Sequence, residues 1–369
     1  MQRALKAQIL ADLSEKMVFL AGPRQVGKTT LAKSLYKNCE YLNWDIDEGR
    51  SRILTKSFRP ADLWIFDEIH KFKTWRNYLK GLYDDLGKKQ KIIVTGSAKL
   101  DVLRKGGDSL QGRYHPLRLM PLSFAELGMK TEKEALDLFR LSGFPEPFLS
   151  QSETKCNRWS RSYRERIIRQ EVSTNEQIVD LGNMEILFDR LRDTVGGTLS
   201  IHSLAQDIQI SDKTIAKWIA ALERLYAVFR VSPFGAPRIK AVKKRQKIFY
   251  YDWNAISDVG GRFENFVAVH LIKWIFSEQD LKGRSLDLRF YRDKYDREVD
   301  FIVTENQRPI LFIEAKHSQS EISKGLVYLK SKFPPVRAMQ VYMSGKKESA
   351  NHFGIENMNV VKLLSELNV

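Results

Sequence analysis

Residues 22 to 30 have the types and spacing of a loop that binds phosphate groups. They read Gly-Pro-Arg-Gln-Val-Gly-Lys-Thr-Thr, which fits the pattern GxxxxGK[ST], and they directly follow an apolar run at residues 17–20. The pattern needs glycine at both fixed positions, Gly22 and Gly27, because the backbone must fold around a triphosphate with its N–H groups pointing inward. The sequence therefore predicts a site for ATP and Mg²⁺ near the start of the chain.

Each part of this loop has a predicted task. Lys28 is expected to reach the β- and γ-phosphates, and Thr29 to hold Mg²⁺ at the start of a helix over residues 29–37, whose positive dipole end faces the anion. The complete nucleotide-binding set is predicted to be Gly22, Pro23, Arg24, Gln25, Val26, Gly27, Lys28, Thr29, Thr30 and Asp67.

Two further apolar runs end in polar residues that could complete the site. Residues 63–66 lead into Asp67 and Glu68, and residues 92–94 end shortly before Ser97. Continuous apolar runs are typical of buried parallel strands, and open α/β sheets bind ligands at the carboxyl ends of their strands. We expect Asp67 to help hold Mg²⁺ through water and Glu68 to act as general base on the attacking water. Ser97 is expected to contact the γ-phosphate or that water; a simple strand cap is the alternative.

The last third of the chain is predicted to place two carboxylates opposite each other. Residues 297–303 and 310–316 are predicted to form a β-hairpin centred on Gln307, with Asp300 opposite Glu314. The same register puts Ile302 opposite Phe312 and Thr304 opposite Ile310. Because like charges on opposite residues are destabilising, we predict that a divalent cation lies between the two acids.

Two more residues belong to this predicted metal site. Lys316 lies on the same face as Glu314, where it could orient a water nucleophile or stabilise a pentavalent phosphate. Glu264 is the acid on the buried side of an apolar helix predicted from residue 260 to about 276. We expect metal binding by Glu264, Asp300 and Glu314, and catalysis by Asp300, Glu314 and Lys316. The alternative is an ion-pair network of these four groups in an inactive domain.

Composition limits the class of protein. The chain has 369 residues, more than one hydrophobic core usually supports, so two to three domains are expected. No apolar run reaches the length of a membrane span, and the amphipathic helix expected over residues 1–6 lacks a signal-peptide core, which predicts a cytoplasmic protein without a membrane partner. The two cysteines, Cys39 and Cys156, favour neither a disulfide framework nor a structural zinc site.

The positive charge favours DNA as a partner. A net charge of +16 attracts polyanions, and it is concentrated in residues 238–247, which hold six cations, and in an arginine-rich helix around residues 158–169. Residues 200–208 and 213–226 have the helical periodicity of a helix-turn-helix, although such units also serve as packing modules. The strands of its wing are predicted at residues 227–231 and 247–251. The residues expected to contact DNA are Lys213, Thr214, Lys217, Lys243, Lys244 and Arg245.

The whole chain resembles the bacterial and archaeal AAA+-type P-loop ATPases that carry an uncharacterised C-terminal endonuclease-like domain. The resemblance follows, in order, the segments 22–30, 66–71, 95–98, 110–113, 121–126 and 143–146. Glu264, Asp300 and the pair Glu314 and Lys316 resemble the PD-(D/E)XK pattern, with Val299 where proline is usual.

This resemblance implies an α/β fold in which a P-loop parallel sheet precedes a winged helix-turn-helix and a restriction-endonuclease-like α/β domain. The predicted domains are an ATPase at 1–128, a helical connector or lid at 129–185, a winged helix at 186–250 and a nuclease-like domain at 251–369. The implied function is ATP binding and hydrolysis coupled to DNA engagement, with Mg²⁺-dependent cleavage by the last domain. The alternative is an ATP-driven switch whose rear domains only bind DNA or a protein.

The same resemblance implies assembly. AAA+-type enzymes generally complete their ATP site with an arginine from a neighbouring subunit, and Arg113 is the candidate in this chain. A homo-oligomer would follow. Pairing of Arg113 with a core carboxylate of its own chain is the alternative.

Overall fold

The chain divides into two units, which consist of residues 1–120 with 224–226 and of residues 121–223 with 227–369. The computed structural model describes residues 3–96, 110–172, 178, 180–235, 246–345 and 349–369. No helix in these described ranges combines the length and apolar character that crossing a membrane requires.

The first unit is built on a parallel sheet. Its strands are β1 (Met17–Ala21), β2 (Cys39–Asn43), β3 (Leu63–Asp67), β4 (Lys91–Thr95) and β5 (Tyr114–Arg118), arranged in the order β2-β3-β4-β1-β5. β1 and β3 are buried at every position, as continuous apolar runs covered on both faces should be. Because all the strands run in one direction, the carboxyl ends of β1, β3 and β4 meet at one edge, and the phosphate-binding loop begins there.

Short helices accompany this sheet. They are α1 (Lys6–Asp12), α2 (Lys28–Lys33), α3 (Asp47–Thr55) and α4 (Trp75–Leu86). The helix predicted over residues 29–37 was too long, since α2 ends at Lys33. The hydroxyl of Ser34 donates a hydrogen bond to the carbonyl of Leu31 at 2.7 Å, and such local bonds compete with helix continuation. The helix expected over residues 1–6 was misplaced, because α1 begins only at Lys6.

The second unit joins helices to a mixed sheet. Its helices are α5 (Glu132–Leu141), α6 (Pro145–Leu149), α7 (Glu153–Arg166), α8 (Leu181–Asp193), α9 (Ile201–Ile208), α10 (Asp212–Arg224), α11 (Val259–Lys282), α12 (Lys324–Lys332) and α13 (Val360–Leu367). Its strands are β6 (Val228–Pro233), β7 (Lys247–Tyr250), β8 (Leu286–Arg292), β9 (Glu298–Glu305), β10 (Arg308–Ser318), β11 (Arg337–Ser344), β12 (Ser349–His352) and β13 (Ile355–Asn359). They form one sheet in the order β12-β13-β11-β10-β9-β8-β6-β7.

The predicted helix pair and its hairpin are present. α9 and α10 are joined by a tight connection, and β6 pairs with β7 in the antiparallel sense. Lys213 and Lys217 are exposed on α10, and Thr214 is partly exposed. β6 also pairs with β8, so the sheet continues across the domain boundary predicted at residue 250. The expected wing is therefore the edge of a larger sheet, and its assignment as a winged helix stays a prediction.

The predicted β9–β10 hairpin forms with one change of register. Ile302 lies opposite Phe312 as predicted, but Thr304 lies opposite Pro309 rather than Ile310, because the register shifts between Pro309 and Leu311. The turn is also displaced by half a residue from its predicted centre at Gln307, since Asn306 and Gln307 together form it. Both have positive φ, 47° and 69°.

The helix that carries Glu264 is longer than predicted. It runs from Val259 to Lys282 as α11 and ends where Gly283 adopts a φ of 65°. A left-handed glycine is a common helix terminator, since it costs no Cβ strain. The predicted end near residue 276 came from the apolar run alone, and the helix continues beyond it with polar residues.

We expect Gln307→Gly to stabilise the second unit. A two-residue hairpin turn with positive φ at both positions favours Asn-Gly, and a glutamine there carries strain that glycine lacks. The free energy of unfolding should rise by about 0.5–1 kcal/mol, measured by urea unfolding followed by circular dichroism. Gln307→Ala, which removes the side chain but keeps the Cβ, should give no such gain. An unchanged midpoint for Gln307→Gly would contradict the turn assignment.

Candidate functional site

The phosphate-binding loop joins β1 to α2 at the carboxyl edge of the parallel sheet. Gly27 precedes the helix with a φ of 97°, and Gly22 has a φ of 145°. A Cβ atom at Gly22 would lie 2.1 Å from the carbonyl oxygen of Leu119. The loop thus has glycine at two conformationally demanding positions, and at Gly22 the neighbour that excludes a side chain is the protein's own backbone.

Arg3, near the amino terminus, forms hydrogen bonds that hold this loop in place. The side chain is buried, and Nη1 donates to the carbonyl of Val26 at 2.7 Å while Nη2 donates to the carbonyl of Met120 at 2.6 Å. Hydrogen bonds from a charged donor are stronger than neutral ones, so the contact fixes the loop's path. Sequence reasoning missed Arg3, since a single arginine far from the loop carries no local signal.

Lys28 is buried inside the loop that it is predicted to serve. Nζ donates to the carbonyl of Gly22 at 2.9 Å and to that of Pro23 at 2.7 Å. Burial lowers the pKa of Lys28 to about 8, although the nearby carboxylates of Glu68 and Asp67 act in the opposite direction. The ammonium group therefore lies inside the phosphate-binding loop and is held there by neutral carbonyl oxygens.

Asp67 gathers hydroxyl groups from three other elements at the tip of β3. Oδ2 accepts from Thr29 Oγ1 at 2.9 Å and from the Tyr41 hydroxyl at 2.8 Å, and Oδ1 accepts from Thr95 Oγ1 at 2.6 Å. Burial, followed by the charge of Asp67, raises the pKa of Tyr41. The two predicted magnesium residues of this site, Thr29 and Asp67, are thus brought together, and oxygen ligands are those that Mg²⁺ prefers.

Tyr41 and Thr95 were not predicted as site residues. Thr95 could have been found, because it ends β4 directly opposite Asp67 and precedes the predicted Ser97. Tyr41 lies on β2, and its contact with β3 depends on strand order, which the sequence pattern does not reveal. Ser97 itself lies outside the described residues.

Glu68 has an unusual backbone and a half-enclosed side chain. Its φ is 54°, and its N–H donates to the carbonyl of Thr95 at 3.0 Å. Oε2 lies 3.5 Å from His70 Nε2 and 3.8 Å from Lys71 Nζ. Burial, and then the charge of Asp67, raises the pKa of Glu68. Positive φ at a non-glycine residue is uncommon and clusters at functional sites, and a raised pKa makes the carboxylate a better proton acceptor.

Arg113 lies at the opposite edge of the sheet. It precedes β5, and its carbonyl accepts from the N–H of Met17 at the amino end of β1. Its guanidinium forms a bidentate ion pair with Asp84, with Nε 2.6 Å from Oδ1 and Nη2 3.0 Å from Oδ2. Asp84 is a half-exposed residue of α4 and not the core carboxylate that the alternative expected. A role for Arg113 in a neighbouring subunit stays a prediction.

Lys247 lies at the centre of the acidic cluster in the second unit. Its side chain is fully buried, and Nζ lies 2.6 Å from Glu298, 2.9 Å from Glu264 and 3.0 Å from Asp300. The sequence offered a signal for this residue only as part of the basic segment, where its role was unassigned. The charge between the acids is thus an ammonium group of the same chain.

The remaining oxygens of the cluster also have protein partners. The N–H of Asp300 donates to Glu314 Oε2 at 3.3 Å, the N–H of Ala315 donates to Asp300 Oδ2 at 3.1 Å, and Lys316 Nζ lies 2.7 Å from Glu314 Oε1. Burial and the charge of Asp300 raise the pKa values of Glu264 and Glu314.

Metal binding by Glu264, Asp300 and Glu314 stays a prediction. Glu264 and Asp300 lie against the ammonium group of Lys247, whereas Glu314 forms its ion pair with Lys316. In the part of the chain that the structure describes, no group of three or more His, Cys, Asp or Glu side chains is arranged to hold a metal ion. The contacts observed are those of the ion-pair alternative.

The predicted DNA-contacting residues are only partly described. Lys213, Thr214 and Lys217 lie along the first turns of α10, where their side chains reach solvent to different degrees. Lys243, Lys244 and Arg245 lie outside the described residues. Contact with DNA by either set stays a prediction.

Comparison with known families divides the chain in three. Residues 14–128 match the family described as an AAA domain, and residues 133–255 and 259–363 match two domains of unknown function, DUF8612 and DUF4143. The first match, together with the loop geometry, supports an AAA-type ATPase domain. The others leave the winged-helix and endonuclease-like assignments as predictions.

The relatives share most of the chain at low identity. An uncharacterized protein of Mycobacterium tuberculosis is 22% identical over 330 residues, which cover 84% of this chain and 72% of that protein. An uncharacterized protein of Haemophilus influenzae is 22% identical over 304 residues, with coverages of 74% and 75%.

Two solved structures show weaker similarity. One is a signal transduction ATPase with numerous domains and a tetratricopeptide repeat sensor from Pyrococcus horikoshii. It is 12% identical, with a TM-score of 0.24, and the match covers 77% of this chain but only 48% of that one. The DNA clamp loader delta protein of Bacillus subtilis is 11% identical, with a TM-score of 0.28 and coverages of 59% and 87%. The function proposed below does not rest on either.

We expect Lys247→Met to destabilise the second unit strongly. The substitution keeps most of the volume but leaves three carboxylates in a buried site without their cation, which should cost about 3–5 kcal/mol of unfolding free energy. Lys316→Met is the matched control, because Lys316 is 42% exposed and pairs with a single acid, and its cost should stay near 1 kcal/mol or below. Urea unfolding at pH 7 measures both. Equal stability of Lys247→Met and wild type would contradict the role assigned to the ammonium group.

Proposed function

We propose that the protein is an ATP-binding and ATP-hydrolysing AAA-type ATPase whose site lies at the carboxyl edge of the parallel sheet. The observation that carries this proposal is the hydrogen bond between Thr29 and Asp67 beside Lys28, which joins the phosphate-binding loop to the acidic tip of β3. The match of residues 14–128 to an AAA domain supports the same function.

Lys28 supplies the positive charge for the phosphates in this proposal. Its two carbonyl acceptors, Gly22 and Pro23, are neutral, and burial disfavours the ammonium form. Phosphate oxygens that replace these carbonyls would stabilise the charged lysine, since an opposite charge favours ionisation. Binding of the nucleotide therefore exchanges weak acceptors for strong ones.

Thr29 and Asp67 are the residues that would hold Mg²⁺. When bound, the ion would neutralise negative charge on the phosphate groups. Tyr41 and Thr95 donate to the same carboxylate, so they fix its orientation and keep it facing Thr29. The loop itself is held in place by Arg3.

Glu68 accepts the proton of the attacking water in this proposal. Its carboxylate lies next to Asp67 in sequence but points toward His70 and Lys71, so the two acids serve different partners. Its raised pKa makes it a stronger base than an exposed glutamate. General acid–base catalysis of this kind typically contributes a factor of about 10²–10⁴.

DNA engagement by the second unit is a second proposal. Lys213 and Lys217 are exposed on α10, and the net charge of +16 favours a polyanionic partner. Of the two hypotheses for this unit, the switch without DNA cleavage is favoured by Lys247, because its ammonium group occupies the centre of the acidic cluster. Mg²⁺-dependent cleavage by Asp300, Glu314 and Lys316 is the less favoured alternative.

We expect Glu68→Gln to lower ATP turnover by about 10²-fold or more while leaving ATP binding nearly unchanged. The amide keeps the size of the side chain but cannot accept the proton. Phosphate release measures turnover, and calorimetry measures binding. Glu48→Gln, at an exposed position of α3, is the matched control and should turn over ATP like the wild type. Normal turnover by Glu68→Gln would remove the general-base role.

We expect the double variant Lys213→Gln, Lys217→Gln to bind duplex DNA more weakly and with a shallower salt dependence. Each DNA phosphate that the variant no longer neutralises should reduce the slope of log affinity against log salt by about 0.9. The readout is fluorescence anisotropy from low to physiological salt, with Lys133→Gln on α5 as the exposed control. Identical slopes for the wild type and both variants would exclude DNA contact by α10.

DNA cleavage needs a separate assay. Plasmid cleavage in Mg²⁺ that Asp300→Ala abolishes would favour the endonuclease hypothesis.

A further inference from the structure

Three arginines line a polar cavity in the second unit that the proposed ATPase does not use. The cavity has a volume of about 310 Å³ and lies beside α7. Arg164 comes from α7, Arg192 from α8 and Arg262 from α11, so three separate helices each contribute a guanidinium group. Ser160 and Asn157 add neutral polar groups to the wall.

Carboxylates near the cavity do not balance these charges. Arg192 Nη2 lies 2.9 Å from Asp189 Oδ1, and Arg164 Nε lies 3.9 Å from the same atom, so two cations share one acid. Arg262 Nε donates to the carbonyl of Ile256 at 2.7 Å. Within the described ranges, no carboxylate forms an ion pair with Arg262.

A second acid, Asp252, contacts the cavity wall through Ser160. Asp252 is buried and accepts hydrogen bonds from the hydroxyls of Ser142 and Ser160 and from the N–H of Asn254. Burial raises the pKa of Asp252, and the hydrogen bonds from Ser160 and Ser142 act in the opposite direction. Among the described residues that line the cavity there are three arginines and no aspartate or glutamate.

Arg164 is held in an unfavourable electrostatic position. Its side chain is 17% exposed, and Nη1 donates to Ser160 Oγ at 2.9 Å. Burial, and then the charge of Arg192, lowers the pKa of Arg164. An anion in the cavity would relieve both effects, because opposite charge stabilises a buried cation.

We propose that this cavity binds a phosphoryl oxyanion, supplied either by a free phosphate compound or by the backbone of a nucleic acid. The planar guanidinium group matches phosphate geometry and can donate two parallel hydrogen bonds to it. The volume is at the small end of ligand pockets, which suits a pyrophosphate or a mononucleotide phosphate rather than a large ligand. None of the residues that line it belongs to the phosphate-binding loop or to α10.

Titration of the full chain with pyrophosphate tests this assignment. All proteins carry Lys28→Ala, so that the phosphate-binding loop contributes little, and calorimetry at low salt gives the dissociation constant. The Lys28→Ala protein should bind pyrophosphate, and adding Arg192→Gln or Arg262→Gln should weaken binding about tenfold or more, as expected when a charge-assisted hydrogen bond is removed. Arg161→Gln is the matched control, since Arg161 lies on the same helix as Arg164 with its side chain 80% exposed. It should bind like the parent.

A thymidine oligonucleotide distinguishes the two sources of the phosphate. If nucleic acid is the ligand, Arg192→Gln and Arg262→Gln should weaken oligonucleotide binding about tenfold while Arg161→Gln does not. If a free phosphate compound is the ligand, only pyrophosphate binding should respond to the two variants. The proposal is overturned if neither probe binds at millimolar concentration, or if both variants bind both probes as tightly as the parent. Thermal unfolding verifies that the variants are folded. If Arg192→Gln does not fold, the comparison of Arg262→Gln with the parent is the test.

Discussion

The carboxylate of Asp67 is the interaction on which the first unit's site depends. It accepts hydrogen bonds from Thr29, Tyr41 and Thr95, and thereby ties the phosphate-binding loop and two neighbouring strands to the tip of β3. A parallel sheet brings the ends of its strands to one edge, but only specific side-chain contacts orient the groups there. Asp67 provides those contacts, and its bond with Thr29 orients the hydroxyl that is proposed to hold Mg²⁺.

In the second unit, a buried lysine supplies positive charge to a cluster of acids. Glu264, Glu298 and Asp300 lie around the ammonium group of Lys247 at distances of 2.6 to 3.0 Å. Buried acids need a positive partner, and Lys247 of β7 supplies one from within the chain. The same unit leaves an excess of guanidinium groups around the cavity at α7. Its acids thus surround an internal cation in one place, and its arginines are proposed to attract an anion in another.

The sequence predicted the features that depend on local pattern. The glycines of the loop, the buried strand ending at Asp67 and the opposition of Ile302 and Phe312 all follow from short segments read on their own. The features that the sequence could not predict depend on contacts between distant segments. They are the hydrogen bonds of Arg3 to the loop, the hydrogen bond of the Tyr41 hydroxyl to Asp67 and the position of Lys247. The ion pairs of Lys247 illustrate this, since nothing in the hairpin pattern reveals a lysine of β7 among the acids.

A crystal structure with Mg²⁺ and a non-hydrolysable ATP analogue tests the central claim most directly. The account predicts that Lys28 Nζ leaves the carbonyl oxygens of Gly22 and Pro23 and contacts the β- and γ-phosphate oxygens, with Thr29 and Asp67 beside the metal ion. A structure grown at saturating analogue in which Lys28 keeps both carbonyl contacts and the loop holds no nucleotide would contradict it.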